Sequence, residues 1–403
     1  MTPGRAGTAG EGRFILLLGA LVAFGPLAVD LYLPALPAIA AGLGSGAEAV
    51  QATVTVFLAG FSLGMLGYGP ISDRYGRRPV MLAGIALFVL ASLACALAVD
   101  VGSLVLARFL QALGGGAASV LARAVVRDVY ASTEAIRKLS LMAMVTAIAP
   151  LLAPLVGSLA LAAGGWRATF ALLVVWGVAC LYGVWAHLPE TLAPERRGQL
   201  GLKAAFGAYL QLLRDPVAIG LLLAGGMSFA AMFAYITGGP FYFITLHGLS
   251  PTQYSLIFAA NAVGIFLANF INSRLVKRLG PPALIGAGCL LGLAGALVLP
   301  LVVASNLPAS IAALFVVVSV TGLLGANCVG LLMQAYPRNA GAAAALFGAS
   351  QFGFGMLASG AVGLLHDGTG RPMAGVIGAA ALLSVAGYLL QRFRRADGAT
   401  RDT

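Results

Sequence analysis

The stretch Gly69–Pro79, GPISDRYGRRP, places one acid and three arginines between two long apolar runs. Each flanking run has about 20 residues, the length that a helix needs to cross roughly 30 Å of hydrocarbon. Short basic segments between membrane spans face the cytoplasm. The stretch therefore indicates a membrane protein whose second and third helices are joined by a cytoplasmic turn.

The composition of the chain is typical of a membrane protein. Of its 403 residues, 60% are hydrophobic and 9% are charged, whereas a soluble domain carries about 25% charged residues. The formal net charge is +11, but the basic residues lie in short breaks between apolar runs and not in a block or stripe. We therefore expect the lipid bilayer as a partner, and no nucleic acid.

The sequence shows no pattern typical of an enzyme or a metal site. It contains no evident nucleophile–base pair or phosphate-binding loop, so we predict that the protein is not an enzyme. The cysteines lie inside apolar runs without the spacing of metal ligands, and we expect them to be packing residues. We expect no metal and no cofactor. The cysteines are Cys95, Cys180, Cys289 and Cys328.

Apolar runs near 20 residues recur along the chain and predict an all-α, polytopic membrane protein of 12 transmembrane helices. The predicted helices lie near residues 14–38, 51–72, 79–99, 102–126, 136–162, 168–188, 217–245, 252–275, 283–304, 308–335, 340–365 and 372–392. If the N-terminus is inside, nearly all basic residues of the breaks are cytoplasmic, and the outer breaks hold little more than Arg167 and Arg371. This asymmetry predicts that both termini are cytoplasmic.

The longest polar break divides the predicted helices six and six, which suggests two parallel six-helix repeats. A weak similarity to the first turn supports a repeat. Residues 272–280, NSRLVKRLG, follow the second helix of the second half, and Ser273 lies near the place of Asp73. The predicted segments are a disordered N-terminus (1–12), an N-terminal six-helix bundle (13–188), a cytoplasmic linker with a short amphipathic helix (189–216), a C-terminal six-helix bundle (217–393) and a cytoplasmic tail (394–403).

Two charges lie inside predicted spans. Asp30 is about 16 residues into the first helix and Arg108 about six residues into the fourth, which runs the other way, so both lie at a similar depth. A charge within the membrane is costly and marks a functional site by default. The alternatives are an interfacial residue near the helix end for Asp30 and a donor to backbone carbonyls for Arg108.

A carboxyl group at that depth suits proton coupling, because small changes in hydration let it take up or release a proton. One proton crossing the membrane brings about 2.3 kcal/mol per 100 mV. We predict Asp30 and Arg108 as the proton-coupling residues. Asp30 would also attract a cationic substrate, whereas a neutral substrate would need coupling through the conformational change.

Gln111 lies one turn from Arg108 on the same helix face and can hold its guanidinium group. The run from Ala107 to Gly116, ARFLQALGGG, resembles the fourth-helix motif of the major facilitator superfamily, whose fold has two parallel six-helix repeats. Its glycines permit close helix approach. A glycine-rich helix without a transport role is the alternative.

The opening turn resembles the signature loop of the same superfamily, in the order Gly-x-x-x-Asp-Arg-x-Gly-Arg-Arg. Such a charge cluster can latch helix ends in one conformational state and release them in the other. The alternative is a simple topology signal. The predicted cytoplasmic gate residues are Gly69, Asp73, Arg74, Gly76, Arg77, Arg78 and Asp128.

Pro150, Pro154 and Gly157 lie on one face of the predicted fifth helix. Proline removes a backbone hydrogen bond and bends a helix. The run from Pro154 to Gly157 resembles the end of the antiporter motif of proton-driven exporters, although the family form has more glycine before the proline. We predict these three residues as a helix-bend antiporter motif, with a plain proline kink as the alternative.

The predicted substrate site draws on both halves of the chain. An apolar cavity with few polar groups suits bulky, amphiphilic ligands, although aromatic residues in membrane helices are most often packing residues. The predicted substrate-binding residues are Asp30, Tyr32, Arg108, Gln111, Phe233, Tyr235, Asn261, Asn327, Phe347 and Gln351.

The end of the first helix resembles one branch of the superfamily. Asp30–Pro37, DLYLPALP, is similar to the Bcr/CflA branch of drug:proton antiporters, as are Arg127–Tyr130, RDVY, and Gly165–Phe170, GWRATF. That branch includes bicyclomycin and chloramphenicol or florfenicol exporters. The resemblance implies a bacterial inner-membrane exporter that works by alternating access, with protons as the coupling ion and Asp30 as the proton- or substrate-linked acid.

We therefore predict proton-driven efflux of small amphiphilic compounds or antibiotics, by a monomer with a small-molecule substrate. One alternative is a proton symporter that imports a nutrient, which should show more charges in its cavity. Another is an exporter of an endogenous metabolite. A sensor or membrane anchor should carry a soluble signalling domain, and no break in this sequence is long enough for one.

Overall fold

Long apolar helices make up nearly all of the described chain. The structure is a computed structural model that describes residues 8–197 and 202–401. Within those residues no β-strand is present, and 11 segments are long and apolar enough to cross a membrane. One of them, Ile148–His187, has 40 residues and overlaps two of the predicted spans. The predicted all-α membrane fold is confirmed.

The chain divides into two units by its internal contacts. The first unit comprises Met1–Ser45 and Val56–Ala205, and the second comprises Gly46–Thr55 and Phe206–Thr403. One boundary therefore falls inside the predicted linker. The other passes through a single helix, so that the first residues of the second span belong to the second unit.

The helices before the linker follow the predicted runs, with the first run interrupted. A 3₁₀ turn lies between the second and third helices. These helices are α1 (Thr8–Val22), α2 (Phe24–Asp30), α3 (Leu36–Gly42), α4 (Ala47–Tyr75), α5 (Arg77–Ala96), α6 (Val101–Val129) and α7 (Ser132–His187).

The remaining helices begin with α8 in the linker, where the sequence predicted a short helix. A π-helical turn, Phe241–Leu246, follows α9, and 3₁₀ turns lie at Pro194–Arg196 and Pro337–Asn339. The helices are α8 (Leu202–Leu212), α9 (Pro216–Pro240), α10 (Pro251–Leu279), α11 (Pro281–Val302), α12 (Leu307–Ser319), α13 (Thr321–Ala335), α14 (Ala340–Leu364) and α15 (Arg371–Arg401).

The two ends of the chain are more helical than predicted. α1 begins at Thr8, inside the segment predicted to be disordered, and residues 1–7 of that segment lie outside the described residues. α15 continues to Arg401, through most of the predicted tail. Helix boundaries are the least reliable part of a prediction from sequence, because a run of small residues carries no strong stop signal.

The first span is broken where one continuous helix was predicted. α2 ends at Asp30, and a 3₁₀ turn at Leu33–Ala35 separates it from α3. Pro34 in that turn has no backbone N–H, so it cannot continue the α-helical hydrogen bonds. The prediction of a single helix over 14–38 is therefore wrong, and the break leaves Asp30 at the carboxyl end of a helix.

The fifth and sixth predicted spans form one long element, α7. Pro150 and Pro154 lie inside it, as predicted. Its helical dihedral angles break at Gly164 and Gly165, where φ and ψ are −147° and 18°, then 71° and −175°. The boundary between the two spans is therefore set by the glycine pair and not by the prolines.

The turns after α4 and after α10 have nearly the same backbone. Gly76 has φ 97° and ψ 153°, and Gly280 has φ 77° and ψ 157°. In each turn the glycine N–H donates to the carbonyl oxygen of the residue four positions earlier, Ser72 or Val276. Positive φ is a conformation that glycine adopts without steric cost. The shared geometry agrees with the predicted six-helix repeats.

This register corrects the alignment of the two turns. Asp73 lies three residues before Gly76, and Lys277 lies three residues before Gly280. Ser273 instead corresponds to Gly69. The prediction that Ser273 lies near the place of the acid is wrong, because the second turn has a lysine there.

Candidate functional site

Asp30 lies at the last position of α2 and is 4% exposed. Among the residues that the structure describes, none forms a hydrogen bond or an ion pair with its carboxyl group. Ionisable groups inside membrane spans are rare and usually serve function. The position of Asp30, beside the break of the first span, therefore makes it the first candidate for a functional acid.

Gly157 of α7 packs against the backbone beside Asp30. A Cβ atom at residue 157 would lie 1.9 Å from the carbonyl oxygen of Leu31 and 2.8 Å from its carbonyl carbon. Real Cβ atoms do not come so close, so only glycine permits this contact. One residue of the predicted antiporter motif thus touches the residue that follows the predicted coupling acid.

Arg108 of α6 is fully buried among aromatic rings. Its Cζ atom lies 4.2 Å from the ring centroid of Tyr32, 4.3 Å from that of Phe57 and 5.9 Å from that of Phe170. The negative faces of aromatic rings attract a guanidinium group. Nη1 also donates a hydrogen bond of 2.9 Å to the carbonyl oxygen of Ala28, two residues before the end of α2.

A chain of side-chain hydrogen bonds connects Arg108 to α5. Nη1 of Arg108 donates to Oε1 of Gln111, as predicted, at 2.5 Å. Nε2 of Gln111 donates to Oγ of Ser92 at 2.7 Å, and Oγ of Ser92 donates to the carbonyl oxygen of Phe88 at 2.7 Å. Ser92 was not predicted from the sequence, since a serine in an apolar run has no distinguishing pattern.

The two predicted coupling residues, Asp30 and Arg108, do not form an ion pair among the residues that the structure describes. Within residues 8–197 and 202–401, the described contacts of the guanidinium group are to rings, to Gln111 and to a carbonyl oxygen. Its Nε and Nη2 atoms are buried and have no hydrogen-bond partner there. Arg108 thus reaches the backbone of α2 and not the carboxyl group at its end, and a coupling role for the two residues stays a prediction.

Arg77 is the centre of the charge cluster at the opening turn. Its Nη1 lies 2.6 Å from Oδ1 of Asp73, and its Nε lies 2.9 Å from Oδ2 of Asp128 at the end of α6. Nη1 also donates to Oγ of Ser72 at 2.5 Å. The predicted contact of the turn with Asp128 is therefore present, and one guanidinium group joins α4, α5 and α6.

Glu190, just after α7, is a further member of the cluster, and it was not predicted from the sequence. Its carboxylate accepts hydrogen bonds from the backbone N–H of Arg77 at 3.0 Å and of Arg78 at 3.2 Å. These N–H groups open α5 and have no partner inside the helix. The available signal was an acid directly after a helix that ends on the same side of the membrane.

The side chains of Arg74 and Arg78 make contacts outside this network. The guanidinium group of Arg74 lies 5.3 Å from the ring of Tyr75, and a Cβ atom at Gly69 would meet no described atom within 4 Å. Nη2 of Arg78 donates to the carbonyl oxygen of Trp185 at 2.8 Å. The cluster that the structure forms is therefore Asp73, Arg77, Asp128 and Glu190, which we call the turn cluster.

The predicted aromatic residues of the second half lie in apolar packing. The ring of Phe233 lies 5.0 Å from that of Phe229 and 6.2 Å from that of Phe352, between centroids. Phe347 packs so tightly on Gly225 that a Cβ atom there would lie 2.6 Å from its ring. These contacts correspond to the packing interpretation.

The remaining substrate-binding candidates of the second half each have different neighbours. The Tyr235 ring stacks on Phe258 with centroids 6.0 Å apart, and Nδ2 of Asn327 donates to Oδ1 of Asn272 at 2.6 Å. Asn261 is 3% exposed, and its Nδ2 has no hydrogen-bond partner among the described residues. Gln351 is half-buried, with Nε2 near Gly325.

Comparison with known proteins shows the family to which the chain belongs. The family model described as Major Facilitator Superfamily matches residues 16–360. The chain is 30% identical over 378 residues to the bicyclomycin resistance protein homolog of Haemophilus influenzae, covering 93% of this chain and 95% of that protein. It is 35% identical over 298 residues to the chloramphenicol resistance protein of Pseudomonas aeruginosa, covering 71% of this chain and 67% of that protein.

A solved structure supports the fold. The crystal structure of D-xylose-proton symporter matches with a TM-score of 0.73 at 19% sequence identity, covering 96% of this chain and 97% of that chain. The relatives agree with the predicted drug:proton antiporter branch. With its membrane spans and its signature turn, the chain belongs to the Major Facilitator Superfamily and is a transporter, not an enzyme.

Proposed function

We propose that the protein is a proton-driven exporter of small amphiphilic compounds that works by alternating access. The observation that carries the proposal is Asp30, a buried carboxyl group without a described partner at the break of the first span. Such a group can exchange a proton with water from one side of the membrane or the other, as the conformation changes its hydration.

In the proposed cycle, Asp30 takes up a proton on the outer side and releases it on the inner side, while the substrate moves outward. One proton that enters across about 100 mV brings about 2.3 kcal/mol, which supports a concentration ratio of about 50 for an uncharged substrate. Binding of a cationic substrate would displace the proton directly. Gly157 keeps α7 close to the backbone beside Asp30, so movement of α7 would reach the acid.

Phenicol-like and bicyclomycin-like compounds are the proposed substrates. The names of two relatives, a chloramphenicol resistance protein and a bicyclomycin resistance protein homolog, support this class. These compounds are small and carry both apolar and hydrogen-bonding groups. The proposed transport direction is outward, because a resistance protein protects a cell by lowering the internal concentration of the drug.

The turn cluster is the proposed cytoplasmic latch. Arg77 joins three helix ends in this structure, and a conformational change that separates those ends would break its ion pairs. The proposed location is the bacterial inner membrane with both termini in the cytoplasm, because basic residues concentrate in the breaks on that side.

Drug susceptibility of an efflux-deficient bacterium tests the proposal. Cells that express the chain should tolerate higher concentrations of chloramphenicol or bicyclomycin than cells with empty vector. The Asp30→Asn variant should lose this protection at equal expression in the membrane. Asp100→Asn is a matched control, because Asp100 is an exposed N-cap of α6 and asparagine caps a helix equally well.

Two results would contradict the proposal. If a broad panel of drugs shows no difference between the wild-type chain and empty vector, export of drugs is not its function. If Asp30→Asn protects cells as well as the wild-type chain does at every external pH, Asp30 does not couple transport to protons.

A further inference from the structure

A second polar site lies in the second unit, at the end of the bundle opposite to the Gly280 turn. It is a cavity of about 170 Å³. An engineered apolar cavity of about 150 Å³ holds a benzene molecule, so the space suits one aromatic ring with a small substituent. Its apolar wall is formed by Phe241, Tyr242, Val362 and Met373.

Gln51 supplies a buried polar group to this cavity. Its side chain is 1% exposed, and it belongs to the part of α4 that packs with the second unit. Its Nε2 donates to the carbonyl oxygen of Thr237 at 3.4 Å. Its Oε1 is buried and accepts no hydrogen bond from the described residues. Oε1 is therefore an acceptor to which the N–H group of a ligand could donate.

The neighbouring hydroxyl groups cannot supply that donor, because they are used elsewhere. Oγ1 of Thr237 donates to Oγ of Ser359 at 2.8 Å. Oγ of Ser359 and Oγ1 of Thr55 are 2.9 Å apart and share a second hydrogen bond. The three hydroxyl groups therefore satisfy one another beside Gln51.

The rim of the cavity carries charged groups of both signs, Asp367 and Arg371. Asp367 is exposed, next to the lining residues Gly368 and Thr369. Hydrogen bonds from the hydroxyl group and the backbone N–H of Thr369 lower the pKa of the Asp367 carboxyl group. A carboxylate is therefore present near neutral pH in the segment that lines the cavity, together with the guanidinium group of Arg371.

The wall itself includes an irregular helix. Phe241 and Tyr242 lie in the π-helical turn that follows α9, and π-helical turns are rare and frequently lie at functional sites. The hydroxyl group of Tyr242 donates to the carbonyl oxygen of Val303 at 2.9 Å, which fixes this ring as a wall of the cavity.

We propose that this cavity binds a benzyl-sized amine, with its ring against Phe241 and Tyr242 and its N–H group donating to Oε1 of Gln51. The site is formed by residues of the second unit and does not involve Asp30. It would give the exporter a binding step for amphiphilic amines that is separate from the coupling acid. The inference concerns binding alone, so it does not depend on the proposed transport function.

Photoaffinity labelling of the purified full-length protein tests the site. The probe is 4-azidobenzylamine, and labelled residues are mapped by mass spectrometry. Label should accumulate in residues 241–246 and 366–373, saturate with probe concentration and be displaced by benzylamine. The matched probe 4-azidotoluene has the same ring but no N–H donor, and it should label these segments about tenfold less at equal concentration.

Three variants decide the outcome. Gln51→Leu should weaken labelling about tenfold, and Gln51→Glu should keep or strengthen it because the acceptor remains. Met373→Trp should block labelling by filling the cavity, which provides a test if Gln51→Leu does not fold. Equal labelling of wild type and a folded Gln51→Leu variant, or label that benzylamine does not displace, would overturn the proposal. Asp30→Asn should label normally, so the two proposals can fail separately.

Discussion

The turn at Gly76 in the first unit and the turn at Gly280 in the second have nearly the same backbone dihedral angles but different chemistry. After Gly76, the backbone N–H groups of Arg77 and Arg78 donate to Glu190. After Gly280, the corresponding residues are Pro281 and Pro282, which have no N–H group. The N–H groups at the first turn thus require an acceptor, which Glu190 supplies from a distant segment. The second turn requires no such acceptor, because its prolines have no N–H group.

This difference shows that the backbone shape of the turn forms independently of the charged contacts around it. Glycine with positive φ and a helix that starts at the next residue suffice to build it, since the second turn forms without an acid at the place of Asp73. The ion pairs of Arg77 therefore are not required for the backbone shape. They are additional, and we infer that they serve the conformational change of the first unit.

Replacement of Arg77 should have the largest effect. Arg77→Ala leaves Asp73 and Asp128 without their common counter-charge, and we expect a loss of stability of about 2 kcal/mol and of most transport activity. Arg77→Lys should recover part of both, because a lysine keeps the charge without the fork of donors. Thermal melting and drug transport in proteoliposomes measure the effects. Wild-type transport by Arg77→Ala would contradict the latch.

Removal of the Glu190 carboxylate should have the next largest effect. Glu190→Ala leaves two N–H groups at the start of α5 without a partner, which should cost about 1–2 kcal/mol in the melting of the purified protein. Arg78→Pro removes one of those N–H groups, as in the second turn, and should restore part of the loss. If Arg78→Pro lowers the stability of wild type and of Glu190→Ala equally, the capping role is wrong.

Alanine substitutions at Gly76 and Gly280 compare the stability of the two turns. Alanine at either turn should cost about 1 kcal/mol because of the positive φ. At residue 76 its Cβ atom would also lie 2.4 Å from a carboxylate oxygen of Glu190, whereas at residue 280 the nearest described atom is 3.8 Å away. We expect Gly76→Ala to melt at a lower temperature than Gly280→Ala. The difference should vanish when both variants also carry Glu190→Ala, and its persistence would point to another cause.

The basic residues of the second turn should matter least. Lys277 and Arg278 are exposed near the end of α10, and exposed substitutions usually change stability by less than about 0.5 kcal/mol. Lys277→Ala should therefore melt and transport like the wild-type protein, in the same assays used for Arg77→Ala. A large loss of transport in Lys277→Ala would show that both turns are latches and would remove the proposed asymmetry.

The sequence predicted the parts of this account that depend on hydrophobicity and on local pattern. Span lengths follow from the apolar runs, and the contact of Gln111 with Arg108 follows from helical spacing. Pro34 signals the break beside Asp30, but the predicted helix continued to residue 38, because a proline in a membrane helix often only bends it. Ser92, Glu190 and Gln51 were missed because their roles depend on which distant segments meet, and a single sequence does not record that.

Asp30 and Arg108 were predicted as coupling residues because they lie at a similar depth in the membrane. Similar depth is necessary for an ion pair, but the direction of each side chain is set by its own helix. The rings of Tyr32 and Phe57 and the carbonyl oxygen of Ala28 surround the guanidinium group instead. This result leaves Asp30 as the unpaired acid on which the proposed coupling rests.

Transport driven by an imposed pH gradient tests the central claim most directly. Proteoliposomes with the purified wild-type protein, with Asp30→Asn or with the Asp100→Asn control are given radiolabelled chloramphenicol at equal concentration on both sides. We predict that wild type and Asp100→Asn concentrate the drug on the more acidic side, and that Asp30→Asn does not. Accumulation by Asp30→Asn equal to that of the wild-type protein would contradict the role of Asp30 in proton coupling.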